Sequence, residues 1–326
     1  MSEEKTKWKE FLETLSALQW LLTFLFLGLT CYVLMLCLMF TRLWPLAALY
    51  FIWLVTDWQT PERGGRRTTF VRQWRVWQHL RDYFPVKLLK TAELSPKKNY
   101  ILGCHPHGIM SAGAFTCFGT DSCGFSELFP GLRPCLAILA GLFRIPFFRD
   151  YIMSAGLYPV SKPSLAHLLS KSGKGNAVVI VIGGAAESLA SSPGVNAVVV
   201  KQRKGFVRVA LEFGADLVPV YSFGENELFR QVIFSEGSFS RRCQDLFKNI
   251  MGFAPCLFVG GKFGVLPYRT PVTTVVGSPI SVPKIVSPTE EEVDHYHGLY
   301  MEALSQLFHR HKVVCGLSEN HKLQLI

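Results

Sequence analysis

Two histidines held around a proline and closed by a glycine, His105-Pro106-His107-Gly108, are the residues of this chain best suited to chemistry. Imidazole is the side chain matched to taking a proton near neutral pH, and a positioned general base contributes roughly 10²–10⁴-fold to a rate. The structural alternative is a histidine pair that caps a helix N-terminus by hydrogen bonding. Metal ligation is a further option, but an i,i+2 pair needs a third ligand, and none stands close in sequence. His295/His297 and His309/His311 share the spacing; they fall on a polar-faced helix and are expected to be exposed.

Further along, Gly183-Gly184-Ala185-Ala186-Glu187 pairs two glycines with a carboxylate. The glycines let backbone amides approach a ligand, and Glu187 stands where it can orient a base or a substrate hydroxyl. Arg203 and Lys204 lie where a helix begins, a position favourable for phosphate through charge and dipole together. A solvated helix end reads equally well there. The chain has no Gly-x-Ser-x-Gly elbow, no Walker A loop and no Gly-x-Gly-x-x-Gly fingerprint. Serine hydrolase, nucleotide hydrolase and dinucleotide oxidoreductase readings therefore lose ground.

Certain elements must hold these groups. Residues 100–104 form a short apolar run readable as a buried strand, and the small apolar residues 109–115 can open a helix. Strand ends that pass into helices are where open α/β sheets bind ligands. Pro106 fixes its own φ and biases His105 toward an extended conformation, while Gly108 permits a close approach. Strand-like runs recur at 177–182, 198–200, 217–221 and 273–276. Residues 204–213 have helical spacing and stop at Gly214. Thr289 with Glu292 makes a capping box before a helix that lines up Val293, Tyr296, Tyr300, Leu304 and Phe308. This alternation predicts an α/β body with a largely parallel sheet.

Of the 326 residues 49% are hydrophobic and 18% charged, and the apolar excess lies early. Residues 14–41 carry no charge, and 20–40 would span about 31 Å as a helix, against about 30 Å of bilayer hydrocarbon. A second uncharged run, 43–56, is shorter, with Trp44-Pro45 suited to the turn between them. The first run is too long for a signal peptide and follows Glu10 and Glu13. Lys5, Lys7 and Lys9 precede the runs and six arginines between 63 and 81 follow, so the positive-inside rule predicts a transmembrane hairpin with both termini cytosolic. The expected division is residues 1–62 as N-terminal segment and hairpin, and 63–326 as a cytosolic body. Arg and Trp alternating over 63–84 suit the membrane–water interface; the alternative is an amphipathic helix packed on the body. Nine cysteines without CxxC spacing suggest neither a zinc site nor a disulfide framework. The net charge of +10 suits anionic headgroups or a phosphate-bearing ligand; without a recognition motif it does not suggest a nucleic-acid partner.

Taken jointly, His105-Pro106-His107-Gly108, Asp57-Trp58-Gln59-Thr60-Pro61-Glu62-Arg63-Gly64-Gly65, Arg81-Asp82-Tyr83-Phe84-Pro85, Gly183-Gly184-Ala185-Ala186-Glu187, Arg203-Lys204-Gly205-Phe206 and Val218-Pro219-Val220-Tyr221-Ser222-Phe223-Gly224-Glu225 are specific. Over nearly its whole length the chain resembles the type-two diacylglycerol acyltransferase family, which includes monoacylglycerol and wax-alcohol acyltransferases. The resemblance implies acyl transfer from acyl-CoA, a co-substrate rather than a cofactor, to a neutral-lipid hydroxyl at the endoplasmic reticulum or lipid-droplet surface. It implies His105 and His107 as the catalytic pair with Glu187; either imidazole can serve as the base, and His107 is the one expected to deprotonate the acceptor hydroxyl. Gly108, Gly183 and Gly184 would line the site, and Arg149, Arg203 and Lys204 would meet coenzyme A phosphates. Phe24, Leu25 and Leu27 would contact neutral lipid. Neither a metal nor a covalent acyl-enzyme is implied. Both monoacylglycerol and diacylglycerol stand as acceptors, the 290–297 stretch looking closest to a monoacylglycerol acyltransferase of the third kind; a homo-oligomer is left open. Val259-Gly260-Gly261-Lys262-Phe263-Gly264 is several residues shorter than the family's usual stretch. A wax-alcohol acyltransferase or a non-catalytic lipid-binding member are therefore the alternatives.

Overall fold

A computed structural model describes residues 6–235, 237–251 and 255–326; Lys5 lies outside them. The strands are β1 (Lys87–Lys90), β2 (Tyr100–His105), β3 (Arg133–Ile138), β4 (Leu157–Pro159), β5 (Asn176–Val181), β6 (Ala197–Val198), β7 (Asp216–Phe223), β8 (Arg230–Gln231), β9 (Phe258–Val259), β10 (Thr273–Val276) and β11 (Gln324–Leu325). Seven of them form one sheet in the order β1-β10-β7-β2-β5-β3-β4. All neighbours are parallel except β10 and β7. The expected α/β body with a largely parallel sheet is therefore present. Every residue of β2 and β7 is buried, because helices cover both faces, and such strands read as unbroken apolar runs.

The two faces carry separate cores. On one, Tyr100, Leu102 and Cys104 of β2 pack among Trp77, Leu80 and Phe118. On the other, Ile101 meets Val207, Leu304 and Phe308. Each large side chain buried in this way contributes roughly 1.5–3 kcal/mol. Tyr300 crosses beneath β2 and donates its hydroxyl to Gly103 O at 3.0 Å. A Cβ at 103 would overlap that phenol, so glycine here makes room for a helix delivered from the C-terminal third of the chain.

That helix, Glu290–His311, opens with the predicted capping box at Thr289 and Glu292. The Gly205–Phe213 helix stops, as expected, at Gly214 with φ +63°. One histidine departs from expectation. His297 is buried, and its Nε2 lies 3.0 Å from Val200 O, because the helix turns that face toward the 197–200 segment.

At the N-terminus a helix runs over Lys7–Met39, with a π-helical turn at Thr23–Leu27. Its first turns belong to the body. Ala17, Trp20 and Leu21 are core residues, and the buried Glu13 accepts from Arg269 at 2.8 Å. Ala17, Trp20 and Leu21 thus pack with the body, while Trp8, Phe11 and Leu15 of the same helix turn outward, and a dense run of exposed apolar side chains starts at Leu22. A second apolar helix, Trp44–Thr56, packs against the first; Trp44 and Pro45 open it, and the turn lies at 40–43. Pro suits a first helical turn because its missing N–H would be unpaired there anyway.

The interfacial reading of 63–84 gives way to packing. The Arg75–Tyr83 helix buries Trp77, Leu80 and Tyr83, and Trp77 Nε1 donates to Val71 O at 2.6 Å. Arg72 is buried as well, donating to the carbonyls of Phe118, Gly119 and Thr120 and pairing with Asp121.

Candidate active site

The site lies where β2 ends, flanked on both sides by parallel strands, β5 and β7. His105 is the last residue of β2 and is wholly buried. Neither of its ring nitrogens has a hydrogen-bond partner; Nδ1 stands 3.7 Å from Glu187 Oε2. A buried unpaired polar group in a native structure calls for an explanation, and a site awaiting a ligand supplies one.

Glu187 comes from the short helix Gly184–Ala190 that follows β5. Its side chain folds back over Gly183, where a Cβ would overlap the carboxylate. One oxygen accepts the His107 N–H at 2.5 Å, and the other accepts the Val199 N–H at 2.6 Å. Glu187 therefore ties the histidine turn to the 197–200 segment. Each oxygen thus accepts one backbone N–H, and Oε2 also faces the His105 ring.

His107 is half-buried at the tip of the turn. Its carbonyl accepts from both the backbone N–H and the hydroxyl of Ser111, at 3.1 and 2.9 Å, which closes the loop. Nδ1 lies 2.7 Å from Ser188 Oγ and 3.2 Å from Gly108 O. Nδ1 is thus engaged by these two oxygens, and a proton on Nδ1, donated to the Gly108 carbonyl, leaves the Nε2 lone pair free. Desolvation holds the His107 imidazole below its usual value, partly offset by the Glu187 charge. At neutral pH the ring is therefore a ready proton acceptor.

Gly108 turns with φ +58°, and a Cβ there would lie 2.7 Å from Cγ of Glu225. Glu225 was not singled out for a role from the sequence. It is buried at the end of β7 and accepts the N–H groups of Ala112 and Gly113 at 2.7 and 2.8 Å. It thus caps the short helix that leaves the histidine turn. Burial pushes its carboxyl up to about 7, although the two amides pull the other way. An acidic residue two positions past the end of a fully buried strand was the available signal. Ser188 and Tyr300, also missed, come into register only through tertiary packing.

The remaining predicted residues are distributed unevenly. Arg203 is exposed just past the Val199–Glu187 contact, and Lys204 pairs with Asp294 at the start of the Gly205–Phe213 helix. Arg149 is not free for a ligand. It is buried, donates to the Asp57 carboxylate and carbonyl at 2.9 Å each, and so locks the base of the apolar helices to the body. Phe24 and Leu25 are exposed on the π-helical turn, while Leu27 packs against the core. Among the described residues no three His, Cys, Asp or Glu side chains gather as metal ligands. The shortened stretch 259–264 adjoins the site indirectly. Val259 pairs with Arg230, and the neighbouring Gln231 can turn its amide nitrogen to the carbonyls of Ser188 and Ser191, at 2.9 and 3.0 Å.

A profile of the family described as "Diacylglycerol acyltransferase" matches residues 36–326. The chain is 55% identical to the human protein named 2-acylglycerol O-acyltransferase 3, over 99% of this chain and 96% of that one. It is 53% identical to human diacylglycerol O-acyltransferase 2, over 98% of this chain and 84% of the relative. A solved structure of the 1-acyl-sn-glycerophosphate acyltransferase PlsC from Thermotoga maritima overlaps at a TM-score of 0.38 and 13% identity, covering 79% of this chain and 94% of that one.

Proposed function

The chain belongs to the diacylglycerol acyltransferase family, and from that premise we propose that His107 acts as general base in acyl transfer from acyl-CoA to the hydroxyl of monoacylglycerol or diacylglycerol. It is an acyl-CoA:acylglycerol O-acyltransferase. The observation that carries the base is the orientation of His107, whose Nδ1 faces a carbonyl and leaves Nε2 to the reactants.

In the step, the acceptor O–H gives its proton to His107 Nε2 as the oxygen attacks the thioester carbonyl. The C–S bond then breaks, and the departing thiolate recovers the proton from the imidazolium. Glu187 holds the His107 backbone in place, and His105, unpaired beside Glu187, is the second imidazole at the reacting centre. Gly108 and Gly183 leave the room that the Glu225 and Glu187 side chains take up around the histidine turn, and Gly184 is open on its free side. Arg203 and Lys204 supply positive charge for the coenzyme A phosphates. Phe24 and Leu25 meet neutral lipid from the π-helical turn, which Leu27 anchors to the core.

The exposed apolar surface from Leu22 onward, with the Trp44–Thr56 helix, forms a hairpin in the endoplasmic reticulum membrane, both termini cytosolic. The second helix reaches only about 20 Å and returns from partway through the bilayer. A lipid acceptor then arrives laterally, along the membrane plane. Partition to lipid droplets follows from the same surface.

Membranes expressing the chain, given labelled acyl-CoA with 2-monoacylglycerol, diacylglycerol or a fatty alcohol, test the reading. Labelled di- or triacylglycerol is expected. Wax ester alone moves the acceptor to an alcohol. No ester from folded, inserted protein overturns the enzyme and favours a lipid-binding member, with the shortened 259–264 stretch beside Gln231 as its structural basis.

A further inference from the structure

Two cavities adjoin the foot of the Trp44–Thr56 helix, and both are lined by Gln59 and Arg63. The first, about 540 Å³, is walled by Val55 and Trp58. The second, about 450 Å³, reaches Arg63, His167 and Lys171. Their shared residues make them one groove with an apolar end at the hydrophobic helix and a cationic end on the body.

The cationic end is short of counter-charge. Most arginines and lysines around it are paired: Arg66 and Arg149 with Asp57, Arg144 with Glu62, Lys162 with Glu212. Arg63 and Lys171 have no ion pair among the described residues, and Glu62, the acidic group in the wall, faces Arg144 at 3.7 Å. His167 lies against Gly64 and is held below its usual value by burial and by the charges of Lys171, Arg133 and Arg63. Arg63, His167 and Lys171 thus gather in one wall, and their positive charge is the complement of an anion.

We infer that this groove is a binding site for a phosphate-bearing amphiphile, its apolar part against Val55 and Trp58 and its phosphate against Arg63, His167 and Lys171. The dimensions and chemistry fit an anionic phospholipid drawn from the membrane or the phosphate end of an acyl-CoA. None of its lining residues belongs to the histidine turn, and the inference does not depend on turnover.

The full-length protein in phosphatidylcholine nanodiscs tests it by equilibrium binding with two probes, a fluorescent phosphatidate and a non-hydrolysable thioether analogue of acyl-CoA. Arg63→Gln with Lys171→Gln should weaken binding of one probe about tenfold or more, because charge-assisted contacts to phosphate are lost. Arg63→Lys with Lys171→Arg should restore it, and Lys97→Gln should leave it unchanged. Loss confined to phosphatidate identifies a lipid headgroup; loss confined to the thioether identifies the coenzyme phosphates. Both probes bound as tightly as by wild type would overturn the site. Both substituted residues are exposed, so folding is retained, and a thermal unfolding curve matching wild type checks this. Absent ester synthesis alongside intact probe binding would count against the acyl-transfer reading alone.

Discussion

Glu187 Oε2 stands 3.7 Å from His105 Nδ1, just beyond hydrogen-bond reach, while the same oxygen accepts the Val199 N–H. The carboxylate thus faces one histidine by charge and holds the other by its backbone. In Glu187→Gln the amide NH₂ would point at one of two N–H donors. The expected outcome is a fall of about tenfold to a hundredfold in kcat with KM for acyl-CoA little changed, measured in purified protein whose unfolding temperature is checked in parallel.

The two imidazoles should separate by substitution. His107→Ala removes the base, and kcat should fall roughly 10²–10⁴-fold. His107→Asn keeps polarity without basicity and should be equally impaired. If Ser188 orients the ring, Ser188→Ala should lower kcat by a smaller factor, about threefold to tenfold.

Two titrating groups, the half-buried His107 and the buried Glu225, give the pH dependence opposite signs. Desolvation lowers the folded value of His107, so below about 6.5 the unfolded chain binds the extra proton, and stability declines as pH falls through that window. The same shift extends activity to lower pH than a free imidazole would allow. Burial raises Glu225 to about 7 from 4.5, so between those values the folded protein holds a proton the unfolded chain has released. Its contribution is present at low pH and is lost as pH rises through about 7. Glu225→Gln should flatten that loss, as read from unfolding temperatures between about pH 5 and about pH 8.

Neighbouring glycines should respond differently. Gly183→Ala places a methyl into the Glu187 carboxylate, so it should reproduce the kcat loss of Glu187→Gln. Gly184→Ala meets no atom within 4 Å, but its φ of +54° disfavours a side chain. A modest loss of stability, about 1 kcal/mol, is expected there, with kcat largely kept.

Arg149 should behave as a structural residue. Asp57→Ala strands a buried guanidinium and should cost about 3–5 kcal/mol, seen as a lower unfolding temperature. Arg149→Met should likewise reduce the yield of folded protein, while KM for acyl-CoA in the surviving fraction stays unchanged.

Local physics explains which parts were legible in the sequence. β2, β5, β7 and β10 are buried and apolar, and the Thr289 cap and Gly214 stop act within a few residues, so each could be read from its own stretch. β1 was missed because Lys87 and Lys90 bracket an edge strand, and β3 because Pro134 sits within it. In the site, the histidine turn and Glu187 announced themselves by residue type and spacing. Glu225, Ser188 and Tyr300 join it only through contacts across the sheet, which spacing does not encode. Arg149 illustrates the converse: a cation reads alike from sequence whether it awaits a phosphate or already holds Asp57.

The ladder between β11 and β6 reaches the site as well. Val198 O accepts from the Ile326 N–H, and Val200 N–H and Lys201 N–H donate to Ile326 O at 2.8 and 3.0 Å. Between them, Val199 points the other way and donates to Glu187. The 324–326 residues therefore brace the strand segment that tensions the histidine turn. Loss of those backbone bonds would slacken the turn from outside. Catalytic competence could thus be withdrawn without touching a reacting group.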